Sequence, residues 1–244
     1  LFLAFVISFA TMFLGAISGG VGLVLRPALI FLGIPATSVI GSVRVAAVPG
    51  EIPGVFLLHK NKKIDWKLVT FLVIPVFLGS LLASILVVLI LEDILKPLLG
   101  IILLVVGIIL VIQKKSGLKE NKAPFSPIKR HTIGFIGTII ISFFNTITGG
   151  LGSLFSSFYI FNYGKTYIGA SALGKTASYI GTGVASITFI VAGVVDWQLF
   201  TALFGGFVLG SFFGTQFGLK KGEKWIRYLV LLVVFASAIK LIFF

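Results

Sequence analysis

Apolar residues run along this chain in eight long blocks, at about residues 1–33, 37–58, 66–91, 94–113, 132–163, 167–193, 196–219 and 225–244, with most of the charged residues in the gaps. A helix crossing a bilayer needs about 20 apolar residues, so the blocks predict membrane-spanning helices. Blocks 1–33 and 132–163 are too long for one upright crossing. As a single helix the first would extend about 48 Å, against about 30 Å of hydrocarbon. Both are interrupted by glycine. AISGGVGLVLRP carries Gly19, Gly20 and Gly22, and NTITGGLGSLFS carries Gly149, Gly150 and Gly152. Each glycine costs a helix interior about 1 kcal/mol. The pattern therefore predicts a helix, a glycine turn and a shorter helix, twice. Pro27 is expected in the first turn of the second helix, where its missing N–H does no harm.

The pattern also repeats. Asp65-Trp66 matches Asp196-Trp197, Gly79-Ser80 matches Gly210-Ser211, Gly33 matches Gly164 and Arg44 matches Lys175, all 131 residues apart. The glycine clusters match at 130. The chain divides into a first transmembrane repeat at 1–113, a basic cytoplasmic linker at 114–131 and a second repeat at 132–244. Repeats of this kind are a common build of secondary transporters. Loop 59–67 and turn 220–227 are basic, while their counterparts around 190–198 and 89–96 are not. That alternation predicts inverted halves, each a glycine-broken, re-entrant-like hairpin plus three helices.

Composition adds the class. Hydrophobic residues make up 58% of the chain and charged residues 11%, with a mean hydropathy of +1.16, the profile of an all-α polytopic protein of the cell (plasma or inner) membrane. The net charge of +13 sits mostly in short loops, so it reads as orientation signal and lipid-headgroup contact rather than a nucleic-acid surface. With no cysteine, thiol chemistry is excluded. His59 and His131 flank loops and read as headgroup-level residues, so neither a metal nor another cofactor is expected. No motif of a hydrolase or metalloprotease is present, and the chain does not read as an enzyme.

Charges inside apolar blocks are the candidate chemistry. Arg44 and Lys175 hold equivalent places, and a charge at bilayer depth costs about 2.5–3.5 kcal/mol even on the lenient insertion scale. Ser171, Ser178, Thr182 and Ser186 extend a polar stripe around Lys175, flanked by Tyr179. Glu51 is the one acid well inside a block, as a proton carrier or as the ion-pair partner of Arg44. Arg26 has a serine as counterpart, and a headgroup role suits it equally. Freed N–H groups at a half-helix start form an anion site. The expected substrate-binding set is thus Arg44, Lys175, Gly19, Gly20, Gly22, Gly149, Gly150, Gly152, Ser18, Thr148 and Tyr179.

The order of these pieces resembles the TauE/SafE family of sulfite and organosulfonate exporters over nearly the whole chain. The resemblance is carried by Gly19-Gly20-Val21-Gly22, LGIP at 32–35, Asp65-Trp66 and Gly79-Ser80. It is repeated in Gly149-Gly150-Leu151-Gly152, Asp196-Trp197 and Gly210-Ser211. Gly41-Ser42-Val43-Arg44 and Gly174-Lys175-Thr176 stand where the family has a G-T-S type stretch. The resemblance implies an exporter of small sulfur-containing or carboxylate anions by alternating access. It also implies coupling to an ion gradient, of protons or sodium. The partners are the anionic substrate and membrane lipids, and a homodimer is compatible with the sequence. An anion channel and a non-transporting membrane scaffold are the competing readings.

Overall fold

The computed structural model describes residues 1–18, 20–112 and 125–221. Among them the chain is all helix: α1 (Phe2–Ser18), α2 (Val21–Phe31), α3 (Ala36–Lys60), α4 (Trp66–Leu89), α5 (Glu92–Ile112), α6 (Pro127–Thr148), α7 (Gly152–Tyr163), α8 (Tyr167–Val191) and α9 (Trp197–Lys221). Four are long and apolar enough to cross a membrane: Ala36–Lys60, Trp66–Leu89, Pro127–Thr148 and, within α9, Trp197–Phe217. The eighth apolar block and most of the basic linker lie outside the described residues, as does Gly19. Residues 127–131, expected in the linker, already form the first turn of α6, with Pro127 at its start, where no N–H is needed.

Both overlong blocks break at their glycines. Gly20 enters α2 at φ 103°, and Gly149 leaves α6 at φ 72°. That is left-handed backbone, open to glycine without steric cost. Pro27 corrects the sequence reading. Because α2 starts directly at Val21, Pro27 falls inside the helix rather than in its first turn. It therefore removes the backbone bond to the Leu23 carbonyl.

The helices pack across the chain. α4 packs on α6 and α8, α9 packs on α1 and α3, and α3 packs on α8. Glycine sets the approach. A Cβ on Gly210 of α9 would stand 2.7 Å from the Phe9 carbonyl oxygen and 2.9 Å from Met12 Cβ. On α4, a Cβ on Gly79 would strike the Ile139 carbonyl and stand 2.9 Å from Ser142 Cβ. Gly206, Gly210 and Gly214 meet Phe5, Phe9 and Phe13 of α1 in turn, every fourth residue on both helices. Small residues at this spacing let backbones close where lipid offers no hydrophobic drive.

The Asp-Trp pairs begin helices. Asp65 Oδ1 accepts from Leu68 N at 3.2 Å, and Asp196 Oδ1 accepts from Leu199 N at 3.0 Å and Gln198 N at 2.9 Å. Both are N-caps, and the exposed Trp66 and Trp197 behind them suit the membrane–water boundary. Thr166 caps α8 through Gly169 N at 3.2 Å. Pro35, at the start of α3, has no side chain able to do so. Glu92 of α5 replaces it, accepting from Ala36 N, from Thr37 N at 3.2 Å and from Thr37 Oγ1 at 2.9 Å.

Candidate functional site

The two helix breaks touch each other. Gly22 N, at the start of α2, donates to the Gly149 carbonyl at 3.0 Å. A Cβ on Gly22 would lie 2.6 Å from Gly149 Cα, and one on Gly150 would lie 3.0 Å from Gly20 Cα. Gly20, Gly22, Gly149 and Gly150 therefore form one backbone-to-backbone contact that side chains would force apart. Gly152 opens α7, and its carbonyl accepts from Ser156 Oγ at 2.9 Å.

A helix ending inside the protein leaves its last carbonyls without helical partners, and each one buried bare is costly. Cations reach them here. Arg44 Nε donates to the Thr146 carbonyl at 3.2 Å, Nη2 to the Asn145 carbonyl, and Nη1 to Thr182 Oγ1 at 2.8 Å. Arg26 Nη1 donates to Thr146 O at 3.1 Å and to Ile147 O. Both arginines thus sit on the C-terminus of α6, the negative end of its dipole. Lys175 does the same for α1: Nζ donates to the Ala16 carbonyl at 3.1 Å and to Thr215 Oγ1 at 3.4 Å. Ala16 and Thr146 each stand three residues before their glycine pair. Arg44 on α3 and Lys175 on α8 therefore make the same contact, each with the other's broken helix.

Arg26 is the second correction. It is 2% exposed, as sealed as Arg44 at 3%, and far from any headgroup role. Glu51 makes no ion pair with Arg44 or any other cation among the described residues, and its Oε2 is buried without a partner. It lies on α3 one turn before Gly54, where a Cβ would strike Lys175 Nζ and stand 2.7 Å from Lys175 Cε. Lys175 and Glu51 are both partly accessible. Thr148 is buried and turns its hydroxyl back to the Phe144 carbonyl at 2.9 Å. Tyr179 lies one turn beyond Lys175, partly buried, and Ser18 is the last residue of α1.

Asn145 escaped the sequence reading. Its Oδ1 accepts from Leu151 N at 3.0 Å across the break, and its Nδ2 donates to Ser178 Oγ at 3.1 Å. The available signal was an asparagine inside an apolar run four residues before Gly149. Nothing matches it in the first cluster, where Gly15 stands in the equivalent place.

Cations outnumber acids at this centre, with buried Arg26 and Arg44 and partly accessible Lys175 against Glu51. A multi-pass helical membrane protein with a cationic core is the class these features define. The profile of the sulfite exporter TauE/SafE family matches residues 3–241, and the chain belongs to that family. It is 25% identical to a probable membrane transporter protein of Haemophilus influenzae over 98% of this chain and 93% of that one. It is 26% identical to the probable membrane transporter protein YfcA of Escherichia coli K12, covering 95% and 85%. It is 27% identical to the probable membrane transporter protein YjnA of Bacillus subtilis, covering 95% and 96%. No solved structure gives a significant match.

Proposed function

We propose that this chain is a secondary transporter that exports a small sulfur-containing or carboxylate anion, such as sulfite or a sulfonate, across the cell membrane. The anion binds where the two helix breaks meet. The observation that carries this reading is the excess of cations there: Arg26, Arg44 and Lys175 face one acid that pairs with none of them. Uncompensated positive charge at membrane depth is costly, and a bound anion offsets it. Lys175 and Glu51 are the partly accessible members of this set.

The same reading takes residues 1–113 and 132–244 as inverted repeats. Matching contacts support the repeat: Arg44 to Thr146 and Lys175 to Ala16, Gly79 to Ser142 and Gly210 to Met12, α4 on α6 and α9 on α1. The basic loops 59–67 and 220–227 against their less basic counterparts support the inversion. Rocking of one repeat against the other then exposes a fixed central site to each face in turn.

Reconstitution into liposomes with labelled sulfite, sulfonates and small carboxylates tests the function. Saturable flux with counter-flow is expected, and Arg44→Ala and Lys175→Ala should each weaken it. Flux without counter-flow would indicate a channel, and unchanged affinity in both variants would remove the cations from the site. Single cysteines at Asn61, Asp93 and Gly193 test the inversion with an impermeant thiol reagent. Asp93 and Gly193 should label from outside and Asn61 only after permeabilisation. Labelling of Asn61 and Gly193 from one side overturns it.

A further inference from the structure

Two arginines share the Thr146 carbonyl, and they differ in what they have left over. Arg44 has spent all three nitrogens: Nε and Nη2 grip the successive carbonyls of Thr146 and Asn145, and Nη1 holds Thr182. Arg26 is held by Nη1 alone, on Thr146 and Ile147. Its Nε and Nη2 are buried and have no partner among the described residues. Those two nitrogens form one edge of the guanidinium, with parallel N–H groups. It is the edge that takes a carboxylate, sulfonate or phosphate by two hydrogen bonds at once. Gly149 lies over the flat face of the guanidinium. A side chain there would begin 2.8 Å from Arg26 Cζ and Nη2 and 3.1 Å from Nε, so glycine lets the group lie flat against the break while its edge stays unblocked. Thr146 Oγ1, on the last turn of α6, is also buried without a partner.

We infer that Arg26 is the oxyanion fork of this protein, gripping two oxygens of the substrate through Nε and Nη2 while Nη1 anchors it to the end of α6. The inference deepens the transport reading and rests on it. A charged group with two bare donors is costly to bury, and Arg44 next to it shows how protein groups satisfy such a residue when they are meant to. The assignment divides the labour. Arg44 and Lys175 hold the ends of the broken helices and set the local charge, and Arg26 selects ligand shape. It also predicts a preference, because a spherical anion such as chloride meets both N–H groups with one atom and bent bonds, whereas two oxygens take them in line.

The test is melting of the purified protein in detergent with sulfite, methanesulfonate, acetate or chloride at equal concentration and ionic strength, alongside liposome uptake of labelled sulfite. In wild type the three oxyanions should stabilise and compete for uptake, and chloride should do both far more weakly. Arg26→Lys keeps the charge and loses the fork. It should weaken the oxyanions about ten- to a hundredfold while leaving chloride unchanged. Equal affinities in Arg26→Lys and wild type would overturn the fork. So would chloride competing as well as methanesulfonate in wild type, a result that stands even if Arg26→Lys fails to fold. Stabilisation by oxyanions without uptake would retain the fork and sink transport. Uptake with Arg26→Lys unaltered would do the reverse.

Discussion

Asn145→Ala is the change that best probes how the second helix break is held. The side chain is 4% exposed and makes two bonds, from Leu151 N at 3.0 Å and to Ser178 Oγ at 3.1 Å. The two are not equal. The bond to Ser178 is an ordinary interhelical contact, worth about 0.6 kcal/mol on average in membrane proteins. Losing the bond to Leu151 strands a backbone donor away from water, which costs about 1–3 kcal/mol. Asn145→Ala should therefore destabilise by about 2–4 kcal/mol, and Ser178→Ala by only about 0.6 kcal/mol. Equilibrium unfolding in mixed micelles with increasing sodium dodecyl sulfate, followed by circular dichroism, reads both. An Asn145→Ala loss below about 0.5 kcal/mol, or one matched by Ser178→Ala, would refute the account of the break.

Three further outcomes follow from the packing and the caps, all read by the same unfolding measurement. Gly79→Val and Gly210→Val should each cost about 1–3 kcal/mol or more by forcing α4 from α6 and α9 from α1, whereas Gly183→Ala, with nothing within 4 Å of the added carbon, should gain about 0.5–1 kcal/mol. Asp196→Ala should lose about 1 kcal/mol while Asp196→Asn, which still accepts from Leu199 N, stays near wild type; equal losses would mean the carboxylate does something other than cap. Glu92→Ala should loosen the start of α3 by about 1–2 kcal/mol, and protection of the Ala36 and Thr37 amides in hydrogen exchange should fall with it.

The sequence made some of this legible and hid the rest for physical reasons. The breaks could be read because length and glycine cost are local quantities, and both point to the same residues. The Asp-Trp pairs could be read as a repeat, but their work as N-caps depends on where α4 and α9 begin. Arg44 and Lys175 stood out as charges in apolar runs. Their acceptors did not, because Thr146 is 102 residues from Arg44 and Ala16 is 159 from Lys175. A carbonyl acceptor also leaves no mark in a sequence, since every residue has one. Arg26 was left undecided for that reason: with no matching cation and no acid to pair with, a headgroup suited it as well as the site did. Glu92 over Pro35 is the same case, a cap lent by a helix more than fifty residues away.

The exchange of cations between distant helices constrains how the protein can be made. When α1 to α5 have entered the membrane, Arg26 and Arg44 are already in place, but the carbonyls of residues 145–147 that hold them have not been synthesised. The end of α1 waits longer still, until Lys175 arrives. The N-terminal half of the chain thus cannot settle as it emerges from the ribosome. It must stay loosely assembled, its charges tended by water, lipid headgroups or the insertion machinery, until most of α8 has followed. The last stage of biogenesis is then a single cooperative closure rather than a helix-by-helix accretion. A nascent chain arrested before α8 should be far more open to proteolysis than its complement of inserted helices would suggest.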